Sequence, residues 1–89
     1  MERFYVIFKG RVQGVGFRFF AQMKAMDLNL TGWIKNCYDD SVEMEVQGPS
    51  LDIDEFLDAL KEGNGFCHID HIEITPLPIK DEKKFKIKY

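Results

Sequence analysis

At 89 residues and 45% hydrophobic composition, the chain can build one compact core and is too short for a second of ordinary size. Twelve basic against fifteen acidic side chains give a formal charge of −3, which excludes a general attraction for polyanions, so any anion must be held locally. No stretch approaches membrane-spanning length, and the N-terminal apolar run Phe4 to Phe8 stops at Lys9-Gly10, too soon for the apolar segment of a signal peptide. These features predict a cytoplasmic domain spanning residues 1–89, in which Cys37 and Cys67 remain free thiols because two cysteines make no disulfide scaffold.

Phe4 to Lys9, rich in β-branched and aromatic residues and nearly apolar on both faces, predicts a central strand. A glycine-rich turn follows, and Phe17 to Leu28, free of glycine and proline, predicts a helix with Asn29 as its left-handed cap. Leu30 to Asn36 reads as a second strand. Val42, Met44 and Val46 alternate with Glu43, Glu45 and Gln47, the period of a third strand with one buried and one wet face. Asn36 to Ser41 is the hairpin connection between them, and Gly48-Pro49 ends the third strand. Ile53, Phe56, Leu57 and Leu60 fall at i, i+3, i+4 and i+7, which predicts an amphipathic helix. Asp52 with Glu55 is the expected cap at its start and Gly63 the stop. Ile69 to Thr75 is a fourth strand, Pro76 to Glu82 a turn-rich connection, and Lys84 to Tyr89 a last short strand.

The order strand, helix, strand, strand, helix, strand, with a short extra strand, predicts an α/β (α+β) ferredoxin-like sandwich. Two helices would cover one face of a mostly antiparallel sheet and bury both apolar sets in one core.

The chemistry concentrates in Gly10-Arg11-Val12-Gln13-Gly14-Val15-Gly16-Phe17-Arg18. If the helix starts near Phe17, the N–H groups of Val15, Gly16, Phe17 and Arg18 lie where helical donors have no intrahelical partner. Arg18 adds a planar fork able to bridge two phosphoryl oxygens. The spacing is neither a Walker A loop nor a dinucleotide fingerprint, and on spacing alone a tight strand-to-helix connection explains it equally. Asn36 is the second candidate, since an amide can hold a water by its lone pair while donating to an anion. Taken alone, it reads more readily as the first residue of a turn.

Together with Leu30-Thr31-Gly32-Trp33-Ile34-Lys35-Asn36 and Asp39-Asp40-Ser41-Val42-Glu43, the glycine-rich stretch closely resembles the acylphosphatase family. The likeness continues through Gly48, Gly63 and Phe85-Lys86-Ile87-Lys88-Tyr89. The resemblance implies hydrolysis of the carboxyl–phosphate bond of acyl phosphates by an oriented water, with no metal or organic cofactor. It implies that Arg18 and the loop of Gln13, Gly14, Val15, Gly16 and Phe17 bind the phosphoryl group, and that Asn36 positions the water. Expected partners are small acyl phosphates and inorganic phosphate, with no nucleic acid and no membrane, for a chain acting as a monomer. Asn29 and Asp40 stand where the family usually has glycine, which bears on stability rather than chemistry because neither is Arg18 or Asn36.

The alternatives are a non-catalytic domain that binds phosphate or carbamoyl phosphate in a regulatory role, or a small nucleic-acid-binding module. Gly14 to Phe19 echoes the aromatic glycine motif of RNA-binding sheets but stands at a turn into a helix instead of on a central strand. Trp33 reads as a packing residue and Tyr38 as a sheet-surface one. Cys67, His68 and His71 give at most three metal ligands with no second cluster. The lysines from Lys80 to Lys88 read as solubilising one face of a terminal strand and discouraging edge pairing.

Overall fold

The computed structural model describes residues 1–89. Its elements are β1 (Glu2–Arg11), α1 (Phe17–Asp27), β2 (Thr31–Asn36), β3 (Val42–Gly48), α2 (Ser50–Glu62), β4 (His68–Leu77) and β5 (Phe85–Lys88). One five-stranded sheet runs in the order β4-β1-β3-β2-β5. Every pairing is antiparallel except the parallel pair of β2 with β5. The expected ferredoxin-like sandwich is therefore the observed one, with β1 an inner strand.

Period-two alternation sorts the strands into two faces. Val6 and Phe8 of β1, Ile34 of β2, Val42, Met44 and Val46 of β3 and Phe85 of β5 are buried together with Phe17, Ala21 and Ala25 of α1 and Ile53, Phe56, Leu57 and Leu60 of α2. The opposite face carries Tyr5, Glu43, Glu45 and Trp33, none of them fully buried. Arg3 and its cross-strand neighbour Gln47 are buried there: Arg3 is 2% exposed and pairs with Glu45 and Glu82 at 2.8 Å each. Burial alone would lower its pKa, but hydrogen bonds to Glu82 and Glu45 outweigh that and raise it.

Several expected boundaries shift, β1 running two residues further at each end, and two of the shifts occur at prolines. α2 begins at Ser50 with Pro49 as its N-cap, so Asp52 falls inside the first turn and caps nothing. Proline supplies the entry because its fixed φ, here −62°, suits the approach, and its carbonyl accepts the first helical bond from Ile53 N at 3.0 Å. β4 runs on through Pro76 to Leu77, two residues beyond Thr75. Pro76 is tolerated because β4 is an edge strand, with one side free of a ladder partner.

Asn29 and Asp40 both adopt left-handed backbone, with φ of 55° and 71°. Asn29 closes α1 as expected: its N–H reaches the Met26 carbonyl at 3.1 Å and Leu30 N reaches the Ala25 carbonyl at 2.8 Å. Cys37 and Cys67 are free thiols. Tyr38 lies in the β2–β3 turn, fully exposed, instead of on the sheet surface. No helix is long and apolar enough to cross a membrane.

Candidate active site

The segment between β1 and α1 is anchored at both ends and held from two sides. Val12 and Phe17 are each 1% exposed, and Phe17 packs edge-on against Phe8 with ring centroids 5.1 Å apart. Between these anchors, Gly14 and Gly16 take φ of 73° and 75°, backbone that costs an L-residue about 1–2 kcal/mol and glycine nothing. An added Cβ at Gly14 would meet nothing within 4 Å, so backbone conformation and not crowding selects glycine there.

On one side, Gln13 Nε2 donates to the carbonyls of Cys37 at 2.7 Å and Ser41 at 2.9 Å, tying the loop to the β2–β3 hairpin. On the other, Asn64 Nδ2 donates to the Val15 carbonyl at 2.8 Å. Asn64 is itself held by the N–H groups of Phe66 and Cys67, donating to its Oδ1 at 2.9 and 3.0 Å. Asn64 and the tying role of Gln13 were not found from sequence. The asparagine lies 49 positions from Val15, and only the Gly63-Asn64-Gly65 turn marked its neighbourhood.

Helix α1 starts at Phe17 with Gly16 as N-cap, and no side chain caps its free N–H groups. No acidic residue occupies its first turn, so the positive end of the helix dipole is uncompensated. Arg18 adds a full charge beside it. Its Nη1 donates to the Lys88 carbonyl at 3.3 Å, its guanidinium carbon sits 5.0 Å from the Tyr89 ring centroid, and it has no carboxylate partner. Lys88 and Tyr89 thus form a seat for Arg18 that leaves most of its five donors free. This seat lies 70 positions from Arg18 and had no signal in the sequence.

Asn36 ends β2 on the same face as the buried Ile34. Its Oδ1 is the one buried side-chain polar atom in the chain that lacks a hydrogen-bond partner. Gly14, Gly16, Phe17, Arg18 and Asn36 line one cavity of about 240 Å³, with Tyr89 at its rim. Val12, Phe17 and Ile87 contribute apolar walls, which strengthen electrostatic contacts made inside. The side chains of Gln13 and Val15 lie outside this lining: Gln13 points to the hairpin and Val15 packs against the core.

The hairpin that carries Asn36 is held by Asp39, whose Oδ1 accepts from Ser41 N at 3.1 Å and from the Ser41 hydroxyl. These bonds hold the Asp39 carboxyl below its ordinary pKa. His68 and His71 lie on edge strand β4 with Asp70 and Glu73 as neighbours at 3.0 and 3.5 Å. No group of three or more potential metal ligands forms anywhere in the chain.

The family model described as Acylphosphatase matches residues 4–87. The acylphosphatase of Clostridium beijerinckii is 50% identical over 90 residues, an alignment covering all of both chains. Among solved structures, the acylphosphatase from Bacillus subtilis superposes with a TM-score of 0.95 at 39% identity, again over the whole of both chains. Full-length HypF in its phosphate- and nucleotide-bound form matches with a TM-score of 0.92 at 34% identity, covering 99% of this chain and 12% of HypF.

Proposed function

The chain belongs to the acylphosphatase family, and from that premise we propose that Arg18 and Asn36 divide between them the hydrolysis of acyl phosphates to a carboxylate and inorganic phosphate. The enzyme is an acylphosphatase. In the proposed mechanism the phosphoryl group sits over the N-terminus of α1, facing the N–H groups around Gly16, Phe17 and Arg18, and the guanidinium bridges two of its oxygens. Charge on the equatorial oxygens during in-line displacement then meets donors already in place.

Asn36 orients the water. Its place carries this role: Asn36 lines the same cavity as Arg18, and its Oδ1, buried without a partner, has no bond inside the protein to fix the amide in that orientation. Rotating the amide about its last torsion exchanges oxygen for nitrogen and turns the oxygen to the cavity, where it accepts from the water. The water oxygen bonds to phosphorus as the P–O bond to the carboxylate breaks. The carboxylate leaves unprotonated, and the two protons of the water finish on the phosphate product or in solvent. A mixed anhydride already has a good leaving group, so positioning and electrostatics suffice without a side-chain nucleophile.

Residues 1–89 act as one domain, a cytoplasmic monomer on this reading, taking small acyl phosphates without metal or cofactor. The HypF match leaves a domain that binds phosphate without turning over as the competing reading, because the same fold makes up 12% of that larger protein. Hydrolysis of benzoyl phosphate in the presence of chelator separates the two. Turnover competitively inhibited by inorganic phosphate is expected. Phosphate binding without turnover would assign the binding role, and turnover indifferent to phosphate would remove the anion from the Arg18 loop.

A further inference from the structure

On the sheet face away from the helices lies a second concavity of about 450 Å³. Trp33 of β2 is its one hydrophobic lining residue, and Lys80, Lys83, Lys84, Lys86 and Lys88 surround it. The volume falls within the roughly 300–1,000 Å³ range of small-molecule sites. Lys88 Nζ stands 4.4 Å from the Trp33 ring centroid, so that ammonium is already held over an aromatic face.

The charge balance of this groove is unusual for a chain of net charge −3. None of its five lysines forms an ion pair, whereas Lys9 on another strand does, with Glu73. Two acids line the groove, Asp81 and Glu82, and Glu82 is drawn towards Arg3 at 2.8 Å, so five ammonium groups face two carboxylates, a balance of +3. Protection of the β5 edge explains lysines on β5 itself. It does not explain Lys80 and Lys83, which come from the preceding connection and converge on the same hollow.

We infer that this groove binds a linear oligophosphate, whether inorganic or carried by a nucleotide. Lysines are compact, flexible point charges that respond to total anionic charge and not to the geometry of one phosphate. Lys84, Lys86 and Lys88 occupy alternate positions along the strand direction, spaced about 7 Å apart, so the row extends about 13 Å. That length exceeds one phosphate and matches a chain of them. The groove has neither a helix N-terminus nor an arginine, which separates it from the Arg18 site and makes the proposal independent of the acylphosphatase mechanism.

Trp33 is the only tryptophan in the chain, so its fluorescence reports on the groove directly. The experiment titrates inorganic triphosphate, ATP, AMP and orthophosphate into the wild type, Arg18→Ala and the triple variant Lys83→Ala, Lys84→Ala, Lys86→Ala. Calorimetry runs in parallel, and circular dichroism confirms folding. The expected result is saturable binding of both triphosphates at the groove, retained in Arg18→Ala and weakened at least tenfold in the triple variant, while AMP and orthophosphate, whose binding at the Arg18 loop is removed in Arg18→Ala, fail to saturate that variant. Equal affinity for the two triphosphates identifies the phosphate chain as the recognised part, and at least tenfold tighter ATP binding adds the base on Trp33. Absence of binding by both methods, undiminished binding in the triple variant, loss of binding in Arg18→Ala, or AMP matching the triphosphates would each overturn the inference.

Discussion

Arg18 and Asn36 do what their chemistry permits because other residues fix them, and those others differ in how visible they are in sequence. The glycines, the arginine and the amide declare themselves by type and spacing, since local backbone demands decide them. The seat of Arg18 on Lys88 and Tyr89, and the Asn64 bond to the Val15 carbonyl, are set by which strands become neighbours, so single-residue reasoning passes over them. Positive φ was legible at Asn29 because a helix end requires it, whereas at Asp40 only the family's usual glycine pointed to it; asparagine and aspartate are the L-residues that tolerate it best. At position 29, Asn29→Ala should lower stability by about 1 kcal/mol, while Asn29→Gly should leave it equal or higher. Denaturant midpoints at constant m-value measure this, and an alanine variant as stable as the glycine one would refute the left-handed assignment.

Among the elements, periodicity identified α2 and β3, and apolar residues on both faces identified the inner position of β1, but termini depended on finer chemistry. The proline entry displaced the expected aspartate cap because Pro49 already provides the geometry that opens the helix. β4 passed through Pro76 because an edge strand tolerates a missing donor, and edge position is a property of the sheet that no single strand reveals. The β1–β3 pairing places Tyr5 opposite Glu45 and beside Glu43, to whose carboxylate its hydroxyl donates at 2.6 Å. This bond first, and desolvation second, push the Tyr5 pKa from 10.0 to about 12. A raised folded pKa means the protonated phenol contributes stability that is fully present below pH 10 and lost as pH rises towards 12. The stability difference between wild type and Tyr5→Phe should therefore shrink across that window. A difference that stays constant with pH would show that the bond does not govern the titration.

For the whole molecule, the sheet order brings the C-terminus to the end of the sheet where the loop leaves β1, and function depends on it. Parallel pairing of β2 with β5 sets Lys88 and Tyr89 beside the Arg18 loop, while β3 and β1 carry the hairpin and the loop that flank it. Arg3, 79 positions from Glu82, clamps the β4–β5 connection over the open sheet face, assisted by Gln47, which bonds both N–H and carbonyl of Lys80. No local pattern announced that clamp, since it unites three segments distant in sequence. Arg3→Met should cost about 3 kcal/mol by leaving two carboxylates without their partner. Chemical denaturation would register it, and an unchanged midpoint would relegate the clamp to a surface contact.

The central claim is the division of labour within the cavity that Arg18 and Asn36 share, and steady-state kinetics of metal-free benzoyl phosphate hydrolysis by wild type, Arg18→Ala and Asn36→Ala tests it most directly. Loss of the guanidinium should reduce kcat/KM about a hundredfold to a thousandfold and abolish competition by phosphate, as expected for removal of a donor to the transition state. Loss of the amide should reduce kcat about a hundredfold or more while phosphate still competes, since a misplaced nucleophile carries a cost of that order. Variants that fold and turn over like the wild type would contradict the account and place the chemistry elsewhere in the chain.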